Sequence, residues 1–220
     1  MTGKWDSVLR LDKNSKGRDF VCGDIHGCFS DLESELKKVH FDESKDRLFT
    51  VGDIIDRGPN SELATRYMSS DWFFSVMGNH EHMYLMANIN TPQQESYLQD
   101  HLHNGGRWAY EMPAENSRAM LLAIDKLPLI IQVGDVIIAH AVLPEVENLE
   151  EIENDPIEHV DTVVWYRGEY PPVNIQGINK IYVGHSIVEE PEQSGKYHNI
   201  DTGAFKKHWG KTGKLTILEL

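Results

Sequence analysis

Five short apolar segments, each closed by glycine or alanine, constrain the fold of this chain more than any other feature. They are rich in β-branched and aromatic residues and lie at Arg18–Gly23, Leu48–Gly52, Phe73–Gly78, Val136–Ala139 and Ile181–Gly184. Runs of this length and composition predict buried strands. An amphipathic helix is predicted at Ser30–Val39, where Ser30 and Glu33 form a capping-box pattern. Alternating strands and helices predict an α/β fold with a mixed or parallel sheet.

The second half of the chain predicts a second sheet. The segments Leu129–Val133 and Val136–Ala139 flank Gly134-Asp135, a two-residue signal for a β-hairpin. Another antiparallel pair is predicted between Asn199–Ala204 and Lys214–Glu219. The sequence therefore predicts an α/β body that carries two sheets.

The length of 220 residues predicts a single domain that spans residues 1–220. Within it, the polar residues 93–115 and the acidic residues 145–158 predict surface loops or weak helices rather than linkers. Residues 1–17 are expected to add only an edge strand. The two cysteines, Cys22 and Cys28, are expected to be reduced and to serve as small packing residues, because no second pair completes a zinc-type set.

The charge of the chain restricts its partners. Thirty-five acidic and 21 basic residues leave a formal net charge of −14, so the surface repels phosphate backbones and anionic membranes on average. No apolar run approaches the roughly 18 residues that a membrane helix needs, and the first residues lack the apolar core of a signal peptide. We therefore expect a soluble, intracellular protein that binds neither nucleic acid nor membranes.

Polar residues of metal-binding type follow each of the five predicted strands. The segments end in the sequences GDIHG, GDIIDRG, GNHE, AH and GH. Taken singly, Asp24 is typical of a turn or cap residue and His140 of a hydrogen-bonded core histidine. The same pattern at five strand ends favours a metal site instead, because burying so many ionisable groups would be costly without a cation. Mixed oxygen and imidazole donors suit Mn²⁺, Fe²⁺ or Zn²⁺.

The sequences GDIHG, GDIIDRG and GNHE resemble the three signature motifs of the phosphoprotein phosphatase family of serine/threonine phosphatases. The sequences NGGRW, LPLII, IIAHA, VGHS and IDTGA are similar to those of its compact phage and bacterial members. The resemblance spans roughly Arg18 to Leu220. It implies a calcineurin-like metallophosphatase fold, with a central β-sandwich of two mixed sheets flanked by helices. It also implies a cytoplasmic, monomeric hydrolase that acts on phosphorylated proteins or peptides.

The same resemblance implies a centre with two divalent metal ions, with Mn²⁺ expected and Fe²⁺ or Zn²⁺ as alternatives. Asp24 and His26 would bind one ion, and Asp53 would bridge both. The ligands implied for the other ion are Asn79, His140 and His185. A hydroxide shared by the two ions would attack phosphorus directly, without a phosphoenzyme intermediate.

Four further residues have implied catalytic roles. His80 is similar to the family's general acid, which protonates the departing oxygen, and Asp56 would orient it. Arg57 and Arg167 are similar to the family's phosphate clamps, since a guanidinium can donate two hydrogen bonds to phosphate oxygens. Arg167 lies in VVWYRGEY, which is not a sharp motif, so an exposed salt-bridging arginine is its alternative interpretation.

Three other functions remain open at this stage. The closest is a diadenosine polyphosphate hydrolase, but Asp56 and Glu81 stand where such enzymes typically carry Ala and Asp. A carboxylate beside the acid histidine suits an alkoxide leaving group, whereas a nucleotide phosphate leaves easily without such help. A non-catalytic phosphoprotein-binding module is a second alternative, and a metallonuclease, which the net charge argues against, is the third. Phosphotyrosine or phosphohistidine could also be accepted.

Several residues outside the motifs are given no catalytic role. The histidines at positions 82, 101 and 103 are expected on the surface or on helix faces. The segment Asn104-Gly105-Gly106 is equally consistent with an active-site rim and with a flexible turn. Four tryptophans are expected mainly to pack, although Trp165 stands close enough to Arg167 to touch substrate; they are Trp72, Trp108, Trp165 and Trp209.

Overall fold

The computed structural model describes residues 7–220, and residues 1–6 of the predicted domain lie outside this description. Within the described part, ten strands form one six-stranded and one four-stranded sheet. The strands are β1 (Val8–Leu11), β2 (Asp19–Cys22), β3 (Arg47–Thr50), β4 (Phe73–Ser75), β5 (Ile130–Val133), β6 (Val136–Ala139), β7 (Lys180–Val183), β8 (Glu192–Ser194), β9 (Tyr197–Asn199) and β10 (Ile217–Glu219).

Both sheets are mixed, as predicted. The larger sheet has the order β1-β5-β6-β7-β9-β8, in which β1–β5, β6–β7 and β7–β9 are parallel and the other two pairs are antiparallel. The smaller sheet has the order β10-β2-β3-β4, and only β10 runs antiparallel to its neighbour. The predicted hairpin is confirmed as β5 and β6, and β1 is the expected edge strand.

Seven α-helices cover the sheets within residues 7–220. They are α1 (Phe29–Lys38), α2 (Ala64–Met68), α3 (Asn79–Asn88), α4 (Gln94–His103), α5 (Ala114–Ile124), α6 (Glu150–Asn154) and α7 (Pro156–Trp165). Short 3-10 helices lie at Ser61–Leu63, Gly106–Tyr110 and Ala204–Trp209. The predicted capping box at Ser30 is wrong, because α1 begins one residue earlier and Cys28 is its N-cap, without a side-chain cap.

The core consists of an inner and an outer layer, as the period-two alternation of strand side chains requires. One cluster combines residues from both sheets, including Val21 and Phe49 of the smaller sheet and Ile138 of the larger one. Their strand neighbours, such as Phe20 and Leu48, belong to a second cluster that also contains helix residues. The first cluster therefore fills the space between the sheets, and the second packs the helices against the outer faces.

One strand pair differs from the prediction. Lys214–Glu219 was expected to pair with Asn199–Ala204, but β10 pairs with β2 in the smaller sheet, and β9 pairs with β7 and β8 in the larger one. The two segments meet through three hydrogen bonds: from the Lys214 N–H to the Thr202 carbonyl, from the Thr202 hydroxyl to the Lys214 carbonyl, and between the Thr202 and Thr216 hydroxyls. Sequence proximity favoured a hairpin, whereas the actual connection crosses between sheets.

Two further expectations can be compared with the structure. Cys22 and Cys28 are free thiols and both are buried, which agrees with a packing role. Across residues 7–220, no helix is long and apolar enough to span a membrane.

Phe49→Ala should lower the free energy of unfolding by about 3–5 kcal/mol, because it removes a fully buried ring between the two sheets and leaves a cavity. Leu122→Ala is the control, since Leu122 is 53% exposed and its loss should change stability by no more than about 0.5 kcal/mol. Urea unfolding followed by circular dichroism measures both, and equal effects would contradict the assigned core.

Candidate active site

The loops that follow β2, β3, β4, β6 and β7 meet at one edge of the sandwich and bring the predicted ligands together. Most of these loops carry unusual backbone conformations. Six non-glycine residues within 7–220 have positive φ, and five of them are predicted site residues: His26 (46°), Asp53 (49°), Asp56 (70°), Arg57 (65°) and His185 (66°). Such conformations are strained for residues with a Cβ and persist only where the surrounding contacts impose them.

Asp53 lies at the centre of the site, between two groups of donors. Its Oδ2 is 3.5 Å from Nε2 of His26 and 4.0 Å from Nε2 of His80. Its Oδ1 is 3.4 Å from Nε2 of His140, which forms the second group with His185. In each group, the three ligand atoms lie within 4.8 Å of one another. Both groups share Asp53, as a bridging ligand would require.

Asn79 belongs to the second group. Its Oδ1 is 3.1 Å from Nε2 of His140 and 2.9 Å from Nδ1 of His185. Asn79 is the first residue of α3, directly after the loop that leaves β4. The amide oxygen therefore points at the same small space as the two imidazoles.

Hydrogen bonds to main-chain carbonyls fix two of the histidine rings. Nδ1 of His26 donates to the carbonyl of Ile55 at 2.9 Å, and Nδ1 of His140 donates to that of Val51 at 2.7 Å. In each case Nε2 is left to face Asp53. Burial holds the pKa of both histidines below the ordinary value, which keeps the rings neutral. Neutral, oriented imidazoles are the form that binds metal.

Asp24, a predicted ligand of the first ion, lies beside the two donor groups. It accepts a hydrogen bond from the backbone N–H of His185 at 3.2 Å and lies outside both three-residue groups. A Cβ on Gly184 would lie 1.9 Å from its Oδ1, so glycine is required there. Burial and the neighbouring charges of Asp201 and Asp53 raise the pKa of Asp24 well above its usual range. Asp24 therefore lies next to Asp201 in the site.

Asp201 is a residue that the motif analysis did not single out, although it lies within IDTGA. It is 1% exposed, and burial raises the pKa of its carboxyl to about 6. Asp24, Asp53 and Asp201 thus place three buried carboxyl groups in one site. Such a set is costly to bury without positive charge. Carboxylate, amide and imidazole donors together fit divalent ions of the Mn²⁺, Fe²⁺ or Zn²⁺ type.

His80 and Asp56 form a buried pair beside this donor set. Nδ1 of His80 donates to Oδ2 of Asp56 at 2.6 Å, and both side chains are fully buried. Burial opposes ionisation of Asp56, but hydrogen bonds from His101 and His80 hold its pKa below the usual range. Nε2 of His80 has no hydrogen-bond partner within the described residues. The histidine thus presents one free nitrogen to the site.

Two residues that were given no catalytic role also bind Asp56. His101 was expected on a surface or helix face, but it is fully buried and its Nε2 lies 2.9 Å from Oδ2 of Asp56. Trp108 packs against the core as expected, and its Nε1 also donates to Oδ1 of Asp56 at 2.7 Å. The segment 93–115 is thus helical, one of the two alternatives predicted for it, and it supplies α4 and a 3-10 helix that close over the His80–Asp56 pair.

A cavity of about 540 Å³ adjoins the donor set. Arg57 and Arg167 both line it, together with the predicted ligand His185. Nη1 of Arg57 lies 2.9 Å from Nε2 of His26. Trp209, which was expected to pack, is 54% exposed and forms part of the cavity wall. The cavity therefore combines two cations with an aromatic wall.

The buried carboxylate of Glu81 holds the loop after β3 in place. Oε2 accepts hydrogen bonds from the N–H groups of Asp53 and Gly78, each at 2.9 Å. Oε1 accepts from those of Ile54 at 2.9 Å and Ile55 at 3.2 Å. Burial, followed by the charge of Asp53, raises the pKa of Glu81 to about 8. Glu81 thus joins the Asp53 loop to the start of α3.

A two-sheet sandwich whose strand ends gather Asp, Asn and His side chains is the architecture of a metallophosphoesterase. The chain belongs to the calcineurin-like phosphoesterase family, whose pattern matches residues 20–203. The predicted resemblance and fold are thereby confirmed. This family consists of phosphoesterases that use divalent metals, and the donor groups around Asp53 fit that use.

The similar proteins include some named as protein phosphatases and others named as nucleotide hydrolases. Serine/threonine-protein phosphatase 1 of Salmonella typhimurium is 32% identical over 206 residues, which are 89% of this chain and 90% of that protein. A symmetrical bis(5'-nucleosyl)-tetraphosphatase of Shewanella sp. is 31% identical over 149 residues, or 62% of this chain and 48% of that protein. The crystal structure of a candidate diadenosine tetraphosphatase has a TM-score of 0.69 at 22% identity over 98% of both chains, which shows the shared fold.

Glu81→Ala should lower the free energy of unfolding by at least about 3 kcal/mol, because it leaves four backbone N–H groups without their acceptor. Glu62→Ala is the matched control, since Glu62 is exposed. Urea unfolding measures both variants. Similar stability of the two would show that the carboxylate does not support the loop.

Proposed function

We propose that this protein is a divalent-metal-dependent serine/threonine protein phosphatase. The observation that carries this proposal is the buried His80–Asp56 pair, because Nε2 of His80 has no hydrogen-bond partner among the described residues and lies in one of the two donor groups that share Asp53. The near full-length similarity to a bacterial serine/threonine-protein phosphatase supports the same substrate class. A cytoplasmic monomer acting on phosphorylated proteins or peptides is part of this proposal.

Six residues would hold two metal ions. Asp53 would bridge them, because its two oxygens face different histidines. The remaining ligands are Asp24 and His26 on one side and Asn79, His140 and His185 on the other. When bound, two such ions lower the pKa of water and neutralise charge on phosphoryl oxygens. Mn²⁺ is the expected ion, with Fe²⁺ and Zn²⁺ as alternatives.

The arginines would bind and orient the phosphate group. Arg57 and Arg167 line the same cavity, next to the ligand His185. Planar guanidinium groups donate paired hydrogen bonds to phosphate oxygens and stabilise the charge that develops during transfer. We therefore assign the open cavity as the place where the phosphorylated side chain enters.

His80 would donate a proton from Nε2 to the departing oxygen. Its Nδ1 is bound to the Asp56 carboxylate, which stabilises the charged imidazolium and fixes the direction of the ring. Seryl and threonyl alkoxides are poor leaving groups, so this proton matters most for phosphomonoesters of alcohols. The pair therefore favours a protein phosphatase over a nucleotide hydrolase, whose phosphate leaves without such help.

Two hydrolysis assays should distinguish the substrate classes. Chelator-stripped protein is assayed with a phosphoserine peptide, by release of phosphate, and with diadenosine tetraphosphate, by chromatography of the nucleotide products, each with and without added Mn²⁺. We expect Mn²⁺-dependent release from the peptide and little cleavage of the dinucleotide. Cleavage of the dinucleotide alone would assign the site to nucleotide hydrolysis, and no turnover of either would favour a binding module.

Two substitutions should separate metal binding from proton donation. Asp53→Asn should lose bound Mn²⁺ and activity together, because it weakens the ligand shared by both groups. His80→Asn should retain Mn²⁺ while kcat toward the phosphopeptide falls by about 10²–10⁴-fold, the usual contribution of a general acid. Metal content is measured by elemental analysis of dialysed protein. Full activity in either variant would overturn the role assigned to that residue.

A further inference from the structure

The Asp56 carboxylate receives three side-chain donors rather than one. His80 donates to Oδ2 at 2.6 Å and Trp108 donates to Oδ1 at 2.7 Å. Nε2 of His101 lies between the two oxygens, 2.9 Å from Oδ2 and 3.1 Å from Oδ1. Donors on both oxygens fix the plane of a carboxylate, which a single hydrogen bond would leave free to rotate.

We propose that His101 and Trp108 are positioning residues that hold Asp56 so that His80 presents Nε2 to the leaving oxygen. This inference rests on the proposed function, in which His80 is the general acid. His101 and Trp108 are 45 and 52 residues from Asp56 along the chain and lie outside the three signature motifs. The geometry of the acid is therefore set by a part of the chain that supplies no predicted metal ligand.

Asp56 determines which nitrogen of His101 carries the proton. Nε2 of His101 faces the ionised carboxylate of Asp56, while Nδ1 lies 2.9 Å from the hydroxyl of Tyr110. A carboxylate accepts only, so Nε2 must donate and Nδ1 is left to accept from the tyrosine hydroxyl. The hydrogen bonds from Tyr110 through His101 and the hydrogen bond from His80 thus converge on the Asp56 carboxylate, which accepts both.

The same segment also forms part of the cavity wall. Asn104 and Gly105 line the cavity, and Gly105 has a φ of 101°. A Cβ on Gly105 would lie 3.1 Å from the backbone nitrogen of Arg57, and one on Gly106 would lie 2.3 Å from the ring of His101. The two glycines therefore let the segment contact Arg57 and His101 at once. This segment consequently forms part of the cavity wall and also helps to position the general acid His80.

A positioning role and a purely structural role predict different kinetics. General acid catalysis matters in proportion to how poor the leaving group is, so its loss slows phenyl phosphate far more than 2,4-dinitrophenyl phosphate. A structural defect that reduces the amount of folded site slows both substrates by the same factor. The ratio of the two kcat values therefore reports on the acid alone.

The experiment compares Trp108→Phe and His101→Gln with the wild type, all loaded with Mn²⁺. We expect kcat toward phenyl phosphate to fall about tenfold more than kcat toward 2,4-dinitrophenyl phosphate, with unchanged Mn²⁺ content. Trp165→Phe is the matched control, because Trp165 Nε1 donates to His82 rather than to Asp56. His82 lies on α3, the helix that also carries His80. It should change both kcat values by one common factor.

Equal losses on the two substrates for Trp108→Phe and His101→Gln would overturn the inference. His80→Asn separates this outcome from failure of the proposed function. If His80 is the general acid, this variant must itself lose more activity toward phenyl phosphate than toward 2,4-dinitrophenyl phosphate. Equal losses in His80→Asn would show that His80 is not the general acid. If the larger substitutions do not fold, Tyr110→Phe decides, since it removes only the hydroxyl at Nδ1 of His101. A smaller bias against phenyl phosphate is then expected, and the absence of any bias would refute the positioning role of His101.

Discussion

The buried carboxylate of Glu81 is the interaction on which the rest of the site depends. Its four hydrogen bonds tie the loop after β3 to the turn that starts α3. Asp53 adopts positive φ within that loop, a conformation that needs outside support. The loop carries Asp53 and Asp56, and α3 begins with Asn79 and His80, so the proposed metal-binding and proton-donating groups are held as one unit.

The strand ends and their polar residues could be predicted because the signal recurs. Each of the five apolar segments contains a strand, from β2 at Asp19–Cys22 to β7 at Lys180–Val183, within a few residues of the expected bounds. Buried strands need continuous apolar runs, and glycine must follow where another group approaches closely, as at Gly184 beside Asp24. These are local requirements, so a single sequence reveals them.

Contacts between distant segments could not be predicted in the same way. His101 lies on α4, a mostly polar helix on which it is the one buried residue, so no apolar stripe marks its inner face. A tryptophan such as Trp108 is usually expected to pack in the core, and only the fold places its Nε1 against Asp56. The pairing of β10 with β2 depends on sheet order rather than on turn chemistry. In each case, the decisive partner is remote in sequence.

The site therefore has two parts with different origins. The proposed metal ligands come from the loops that follow the strands, and one fold can carry such loops in enzymes with different substrates. The other part comes from residues 94–110 and 204–209, which line the cavity through Asn104, Gly105, Phe205 and Trp209. Because His101 and Trp108 belong to the first of these segments, one piece of chain supplies both cavity wall and the contacts that hold Asp56. In the proposed function, this segment would therefore shape the entry of the substrate and support proton donation.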